Sequence, residues 1–235
     1  MKVVILCGGL GSRLSEETRI KPKPMVKIGN RPILSHIIQI YESYGYKEFF
    51  IALGYKGYVI KKFFSKKKSK SKFHLIDTGA KTLTGGRLLR LKKYFKENEN
   101  FMLTYGDGLT SQNINKLVKF HLKNKKIGTM TVVRPPVRFG EVKMRNNSVN
   151  SFKEKPQSTS GWINGGFFVF NSKIFKFIKN DFTMLEKQPL ESLSKKGQLM
   201  GFKHYGFWQC MDTLRDKKFL ENIYKRKKNK SPWLL

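Results

Sequence analysis

At 235 residues and 39% hydrophobic content the chain can bury the core of one α/β domain, and it reads as a single domain over 1–235. No stretch approaches the run of about 18 apolar residues that spans a bilayer, and Gly8-Gly9 cuts the N-terminal apolar run before it could serve as a signal peptide. A soluble cytoplasmic protein without a membrane partner is expected. The 48 Lys plus Arg against 16 Asp plus Glu give a formal charge of +32, but 38 of the cations are lysines spread along nearly every segment. They are not interleaved with stacking aromatics and arginines, so they read as a solvated surface with no dedicated nucleic-acid partner.

The chain opens with MKVVILCGGLGSRL, a short β-branched run from Val3 to Cys7 that breaks into Gly8, Gly9 and Gly11 and closes on Arg13. Such a run predicts a central strand of a parallel sheet. Glycines after it let backbone N–H groups approach an anion, and Arg13 adds a fork of donors suited to phosphate. A Walker loop needs Gly-Lys-Ser/Thr, which Gly11-Ser12-Arg13 lacks, and a dinucleotide fingerprint fails at Leu14. A plain tight turn remains the competing reading of the glycines alone.

Two Lys-Pro pairs follow in IKPKPM and force an extended course. They hold Lys23 near the glycine loop, where it suits a phosphate better than a surface role. RPILSHIIQIYESYG is predicted as a helix with Pro32 at its first position and Gly45 at its end. Strand FFIALGY and helix YVIKKFF continue a βαβα alternation, and SKKKSKSK reads as a mobile loop. In DTGAKTLTGGRLLRLKKYF a helix is expected to run through Phe95, entered at Gly85 and Gly86, whose free N–H groups could read a base edge or hold an anion.

Strand FMLTYGDG then places Asp107 between glycines at a strand end, a position that suits Mg²⁺ and equally an Asp-Gly turn. Only a partner carboxylate would decide between them. Helix NINKLVKFHLKNKK and strand GTMTVVRP follow, then a hairpin turning at Asn146-Asn147 and a strand NGGFFVF. SKIFKFIK and PLESLSKKG are predicted helices, GFKHYGFWQCMD a strand-like stretch delivering Asp212, and TLRDKKFLENIYKRKK a closing helix. The alternation predicts an α/β fold, a Rossmann-like, mostly parallel sheet with helices on both faces and a small antiparallel excursion. Cys7 and Cys210 have no metal spacing and are expected to be small and buried; His36, His74, His121 and His204 are read as structural.

Taken together, GGLGSRL, KPKPM, TGGRL, YGDG, FKEKP, NGGFFVF and FWQCMDTLRD resemble the sugar-nucleotide pyrophosphorylase family of nucleotidyltransferases, and GFWQ-x-MDTLRD resembles its cytidylyltransferase branch. The resemblance covers nearly the whole chain in collinear order. It implies a fold of the nucleotide-diphospho-sugar transferase type, with the antiparallel excursion binding sugar. It also implies transfer of a nucleotidyl group from a nucleoside triphosphate, CTP foremost, to a sugar 1-phosphate, glucose 1-phosphate foremost, for surface polysaccharide. No covalent nucleophile is needed.

By motif, Leu6, Cys7, Gly8, Gly9, Leu10, Gly11, Ser12 and Arg13 resemble the triphosphate cradle, with Arg13 on the departing pyrophosphate. Lys23 resembles the lysine that draws both substrates' phosphates together, Thr82 and Arg87 the nucleotide and base contacts, and Asp107 with Asp212 the Mg²⁺ pair. Lys155 resembles the ligand of the sugar phosphate, Glu154 the acceptor for sugar hydroxyls, and Gly140, Asn164 and Gly165 the lining of the sugar pocket. The resemblance further implies a homo-oligomer. The chain departs from it between YVIKKFF and DTG, where Ser65 to Lys72 stand in place of a longer insertion, which bears on base choice and assembly.

Overall fold

The computed structural model describes residues 1–66, 68–134, 141–145, 148–153, 161–226 and 230–234. In chain order its strands are β1 (Val3–Cys7), β2 (Lys27–Ile28), β3 (Arg31–Pro32), β4 (Glu48–Leu53), β5 (Lys72–Asp77), β6 (Asn100–Tyr105) and β7 (Gly108–Thr110). They continue with β8 (Gly128–Val133), β9 (Glu141–Arg145), β10 (Ser148–Lys153), β11 (Ile163–Asn171), β12 (Leu199–His204) and β13 (Trp208–Cys210). The helices are α1 (Ser15–Thr18), α2 (Ile33–Ser43), α3 (Gly57–Ser65), α4 (Thr84–Arg90), α5 (Ile114–Asn124), α6 (Gln188–Lys195) and α7 (Leu214–Arg226).

Strand β1 is buried along its whole length and lies between β4 and β6, parallel to both, with Val3 opposite Phe49 and Met102. Its side chains alternate between two cores, as the two-residue period of a strand requires. Val3, Ile5 and Cys7 join the apolar sides of α2, α3, α5 and α7; Val4 and Leu6 join Leu88, Ile174, Leu190 and Leu193. The seven-stranded sheet runs β12-β8-β11-β6-β1-β4-β5. Only β11 opposes its neighbours, pairing antiparallel with β6 and β8. The mostly parallel sheet with helices on both faces is therefore as expected, and the hairpin β9–β10 forms a separate antiparallel pair. Its predicted turn, Asn146-Asn147, lies outside the described residues.

Several local expectations are corrected. KFHLID, to which the sequence reading gives no element, is strand β5, at the sheet edge and half-exposed, so a lysine-rich approach and weak alternation of burial hide it in the sequence. Pro32 stands just before α2 with extended backbone, φ −55° and ψ 146°, rather than at its first position. Helix α4 stops at Arg90 and Lys92–Tyr94 form a separate 3-10 turn. SKIFKFIK is likewise a 3-10 helix, Ser172–Phe177, which aims Ile174 and Phe175 into the core before the chain extends again at Ile178. The stretch GFKHYGFWQCMD divides into β12, at the far edge of the large sheet, and β13, which pairs with β7.

The buried histidines hold the structure together. His36 lies 3.0 Å from the Ile28 carbonyl and receives the Trp233 indole N–H at 3.3 Å. Burial lowers its pKa to about 4, so the neutral ring both donates and accepts at neutral pH. His121, also lowered to about 4 by burial, meets Thr129 at 3.0 Å.

Candidate active site

The parallel strands β1, β4, β5 and β6 end at one edge of the sheet, where ligands of open α/β sheets collect. There a cavity of about 540 Å³ opens between the glycine loop, α4, the Gly106-Asp107-Gly108 turn, the start of β11 and β13. Of the predicted site residues that the structure describes, all but Leu10 line it; Leu10 is 62% exposed and is not part of the lining. Gly140, Glu154 and Lys155 lie outside the described residues.

The loop after β1 owes its course to one arginine. Arg87 is buried, and its guanidinium donates to the carbonyls of Gly8 (2.9 Å), Leu53 (3.0 Å), Gly79 (2.7 Å) and Ala80 (3.3 Å) and to the Thr78 hydroxyl (2.9 Å). Among the described residues carbonyl dipoles and a hydroxyl, and no carboxylate at hydrogen-bonding distance, hold this cation, which ties the ends of β1, β4 and β5 together. A Cβ on Gly8 would lie 2.1 Å from the guanidinium carbon, so glycine is required for that approach.

Gly85 and Gly86 have a different role from the one expected. They sit inside α4, and their N–H groups donate to the Thr183 carbonyl at 3.0 and 3.2 Å. A Cβ on Gly86 would meet the Asp181 carbonyl oxygen at 2.2 Å. These glycines admit the 181–185 segment against the helix; their N–H groups are occupied and do not read a base or an anion.

The partner carboxylate that Asp107 needed is Asp212. Antiparallel pairing of β7 with β13, extended by the Met211 N–H to the Asp107 carbonyl at 2.9 Å, brings the two together across 105 residues of chain. Lys23 bridges them, with Nζ 2.7 Å from Asp107 Oδ2 and 2.5 Å from Asp212 Oδ1, and Arg13 reaches Asp212 Oδ2 at 2.9 Å. Burial would raise the Asp212 pKa, but the Lys23 hydrogen bond and charge, with Arg13, hold it below the usual carboxylate value. For Lys23 burial acts downward, and the charges and hydrogen bonds of Asp107 and Asp212 outweigh it and raise its pKa.

Asp212 is fixed from behind by a capping box at the start of α7. The Asp216 carboxylate accepts from the N–H groups of Asp212 (3.0 Å) and Thr213 (2.9 Å), and the Asp216 N–H donates to Thr213 Oγ1 at 3.2 Å. Asp216→Ala is expected to cost about 1–2 kcal/mol of stability, read by urea denaturation. Because the lost bonds orient Asp212, turnover should fall severalfold further than the folded fraction does.

Two carboxylate oxygens that share one cation form a donor set that suits Mg²⁺, which takes one or two protein oxygens with water and phosphates. Among the described residues no group of three or more His, Cys, Asp or Glu gathers for a metal, so the remaining positions would be filled by solvent and ligand oxygens.

The cavity also contains residues that motif reading missed. Tyr105, Thr84 and Glu186 form one hydrogen-bonded cluster, and the Trp208 indole donates to the Gly165 carbonyl at 2.7 Å. Thr84, Tyr105 and Trp208 lie within the quoted motifs TGGRL, YGDG and FWQCMDTLRD but were given no role there; Glu186, in FTMLEKQPL, carries no local signal. Asn164 Oδ1 accepts from the Gly166 N–H at 2.8 Å, which ties it to a turn where the pairing of β11 with β8 shifts register. Cys210 is half-exposed on the cavity wall rather than buried. Burial and then Asp212 and Asp107 push its thiol up to about 12, which keeps it protonated and unfit as a nucleophile.

A family model described as nucleotidyl transferase matches residues 2–204. The chain belongs to that family. Among curated relatives of this nucleotidyltransferase, it is 47% identical to the glucose-1-phosphate cytidylyltransferase of Salmonella typhimurium, covering 99% of this chain and 98% of that one. It is 30% identical to the mannose-1-phosphate guanyltransferase of Aspergillus oryzae over 94% of this chain and 62% of that one. The alignment with the Salmonella protein runs over 255 positions, so that relative carries residues this 235-residue chain lacks. Among solved structures, HddC from Yersinia pseudotuberculosis superposes with a TM-score of 0.75 at 26% identity, covering 94% of this chain and 98% of that one. A UDP-glucose pyrophosphorylase solved with UDP-glucose shares the fold at a TM-score of 0.75 and 15% identity, covering 96% and 98%.

Proposed function

We propose that residues 1–235 act as one unit that transfers the cytidylyl group of CTP to glucose 1-phosphate, yielding CDP-glucose and pyrophosphate. The observation that carries the chemistry is the convergence of Lys23, Asp107 and Asp212 beside the glycine loop. The Salmonella relative, a glucose-1-phosphate cytidylyltransferase, supports the choice of substrates.

In this reading a phosphate oxygen of the sugar 1-phosphate attacks the α-phosphorus, and the bond from that phosphorus to the β-bridging oxygen breaks. Pyrophosphate leaves with the electron pair. Catalysis rests on positioning and charge. Backbone from Leu6 to Ser12 and the Arg13 guanidinium hold the triphosphate, and Lys23, whose ammonium has three donors, draws the two substrates' phosphates together. Thr82 and Arg87 border the base. Lys155 takes the sugar phosphate, Glu154 the sugar hydroxyls, and Gly140, Asn164 and Gly165 line the sugar pocket. Mg²⁺ held by Asp107 and Asp212 would neutralise phosphate charge in the transition state. The proposal extends to a homo-oligomer working in the cytoplasm; among the described residues no helix is long and apolar enough to cross a membrane.

Pyrophosphate release with glucose 1-phosphate and Mg²⁺, run in parallel against CTP, UTP, dTTP, ATP and GTP, tests the base. CTP is expected to exceed every other triphosphate in kcat/KM. Preference for another base would remove cytosine from the part of the cavity that Thr82 and Arg87 border and leave the transfer chemistry standing.

A further inference from the structure

The cavity has two halves. The glycine loop, Thr82 and Arg87 stand over β1, β4 and β5, whereas Tyr105 and Asn164 to Gly166 stand over β6 and β11. Glu186 sits where the halves meet, anchored to the second by the Tyr105 hydroxyl, which donates to Glu186 Oε1 at 2.5 Å, and to α4 of the first by Thr84. The other oxygen, Oε2, accepts from Thr84 Oγ1 at 2.6 Å, and that hydroxyl in turn receives the Leu185 N–H at 2.9 Å. Both anchors are neutral. Among the described residues no cation pairs with Glu186, although the chain carries a net charge of +32.

An ionised carboxylate accepts about four hydrogen bonds, and two are taken, so Glu186 faces the cavity with acceptor sites to spare. Its negative charge repels phosphate and suits hydroxyl donors. The cations Lys23 and Arg13 lie with Asp107 and Asp212, on the phosphate side. Cationic donors for phosphate thus stand with Lys23 and Arg13, although Asp107 and Asp212 pair with them, whereas Glu186 offers only acceptor oxygens, which suit a polyhydroxylated, uncharged ring.

We propose that Glu186, held by Tyr105 and Thr84, is a specificity-determining residue that accepts hydroxyl hydrogen bonds from the sugar ring and orients the sugar 1-phosphate with its phosphate toward Lys23. This inference rests on the transfer reaction proposed above. Glu186→Gln keeps the size and both anchors, one hydroxyl still donating to the amide oxygen and the other turning to accept from the amide nitrogen, but removes the charge and one acceptor oxygen.

The test is steady-state kinetics of the full chain and Glu186→Gln with CTP and glucose 1-phosphate or its 2-, 3-, 4- and 6-deoxy analogues. A charge-assisted hydrogen bond predicts a fall in kcat/KM for glucose 1-phosphate of about 10- to 100-fold, with the KM for CTP within about twofold. The analogue that lacks the partner hydroxyl should lose as much with the wild type and lose nothing more with the variant, a non-additivity that a purely structural role would not produce. Tyr105→Phe, which deletes one anchor, should show the same selective loss in smaller measure and provides the reading if Glu186→Gln fails to fold. Equal losses for CTP and sugar, or full additivity with all four analogues, would overturn the role of Glu186 while the transfer reaction stood. A wild-type chain inactive with every sugar 1-phosphate would overturn both.

Discussion

Asp212→Asn is expected to lower kcat by more than about a thousandfold, on the order of 4 kcal/mol or more of transition-state stabilisation, because a metal's charge on the transferring phosphoryl group is worth several kcal/mol. The change keeps the shape of the side chain and the backbone bonds to Asp216, and Lys23 retains Asp107 as its partner. Arg13, whose side chain is 70% exposed, returns to water at little cost. Melting should therefore move by only a few degrees. The measurement is pyrophosphate release at saturating Mg²⁺ beside a thermal melt of the same preparation. Near-normal turnover would remove Asp212 from the metal pair, whereas lost turnover with a collapsed melt would reassign it to folding.

Arg87→Ala should act in the opposite proportion, on stability first. The guanidinium fastens Gly8, Leu53, Gly79 and Ala80 from beneath the loop, and its removal leaves buried carbonyls short of donors where a methyl group cannot follow. Some loss is cushioned, since the Leu53 carbonyl keeps the Thr78 N–H and the Gly8 carbonyl keeps the Tyr55 N–H. A destabilisation of about 3 kcal/mol is expected, which for a chain of this size is roughly 6–12 °C in Tm. Arg87→Lys should recover only part of it, because a point cation cannot reproduce a planar fork across several carbonyls. The KM for the triphosphate should rise in both variants, since the loop that Arg87 shapes lines the cavity. An unchanged melt with weakened nucleotide binding would make Arg87 a direct ligand and not the staple of the loop.

How far the sequence could be read depended on the range of the interactions. Strand β1 and its loop were legible because a β-branched run followed by glycines is a local signal; Asp107 stood out between glycines at a strand end, but only the resemblance of FWQCMDTLRD to a family motif gave it Asp212 as a partner. The pairing of β7 with β13, which makes those two carboxylates a pair, is a contact between distant three-residue strands that no periodicity announces. Gly85 and Gly86 misled for the same reason: a helix start looks open until its neighbour is known, and that neighbour is the Thr183 carbonyl. Glu186 was missed because both of its anchors lie 81 or more positions away in the chain. Strand β5, an edge strand of modest burial behind a lysine-rich stretch, lacks the alternation that would mark it.

The central claim is nucleotidyl transfer at the Lys23–Asp107–Asp212 site, and one measurement reaches it most directly. CTP labelled at the α-phosphate is incubated with glucose 1-phosphate, the chain and Mg²⁺, with and without a chelator, and labelled products and pyrophosphate are both quantified. The account predicts one pyrophosphate for each labelled CDP-glucose, and loss of both when the chelator is present. Label recovered as CMP with no sugar nucleotide, or label left wholly in CTP, would contradict it.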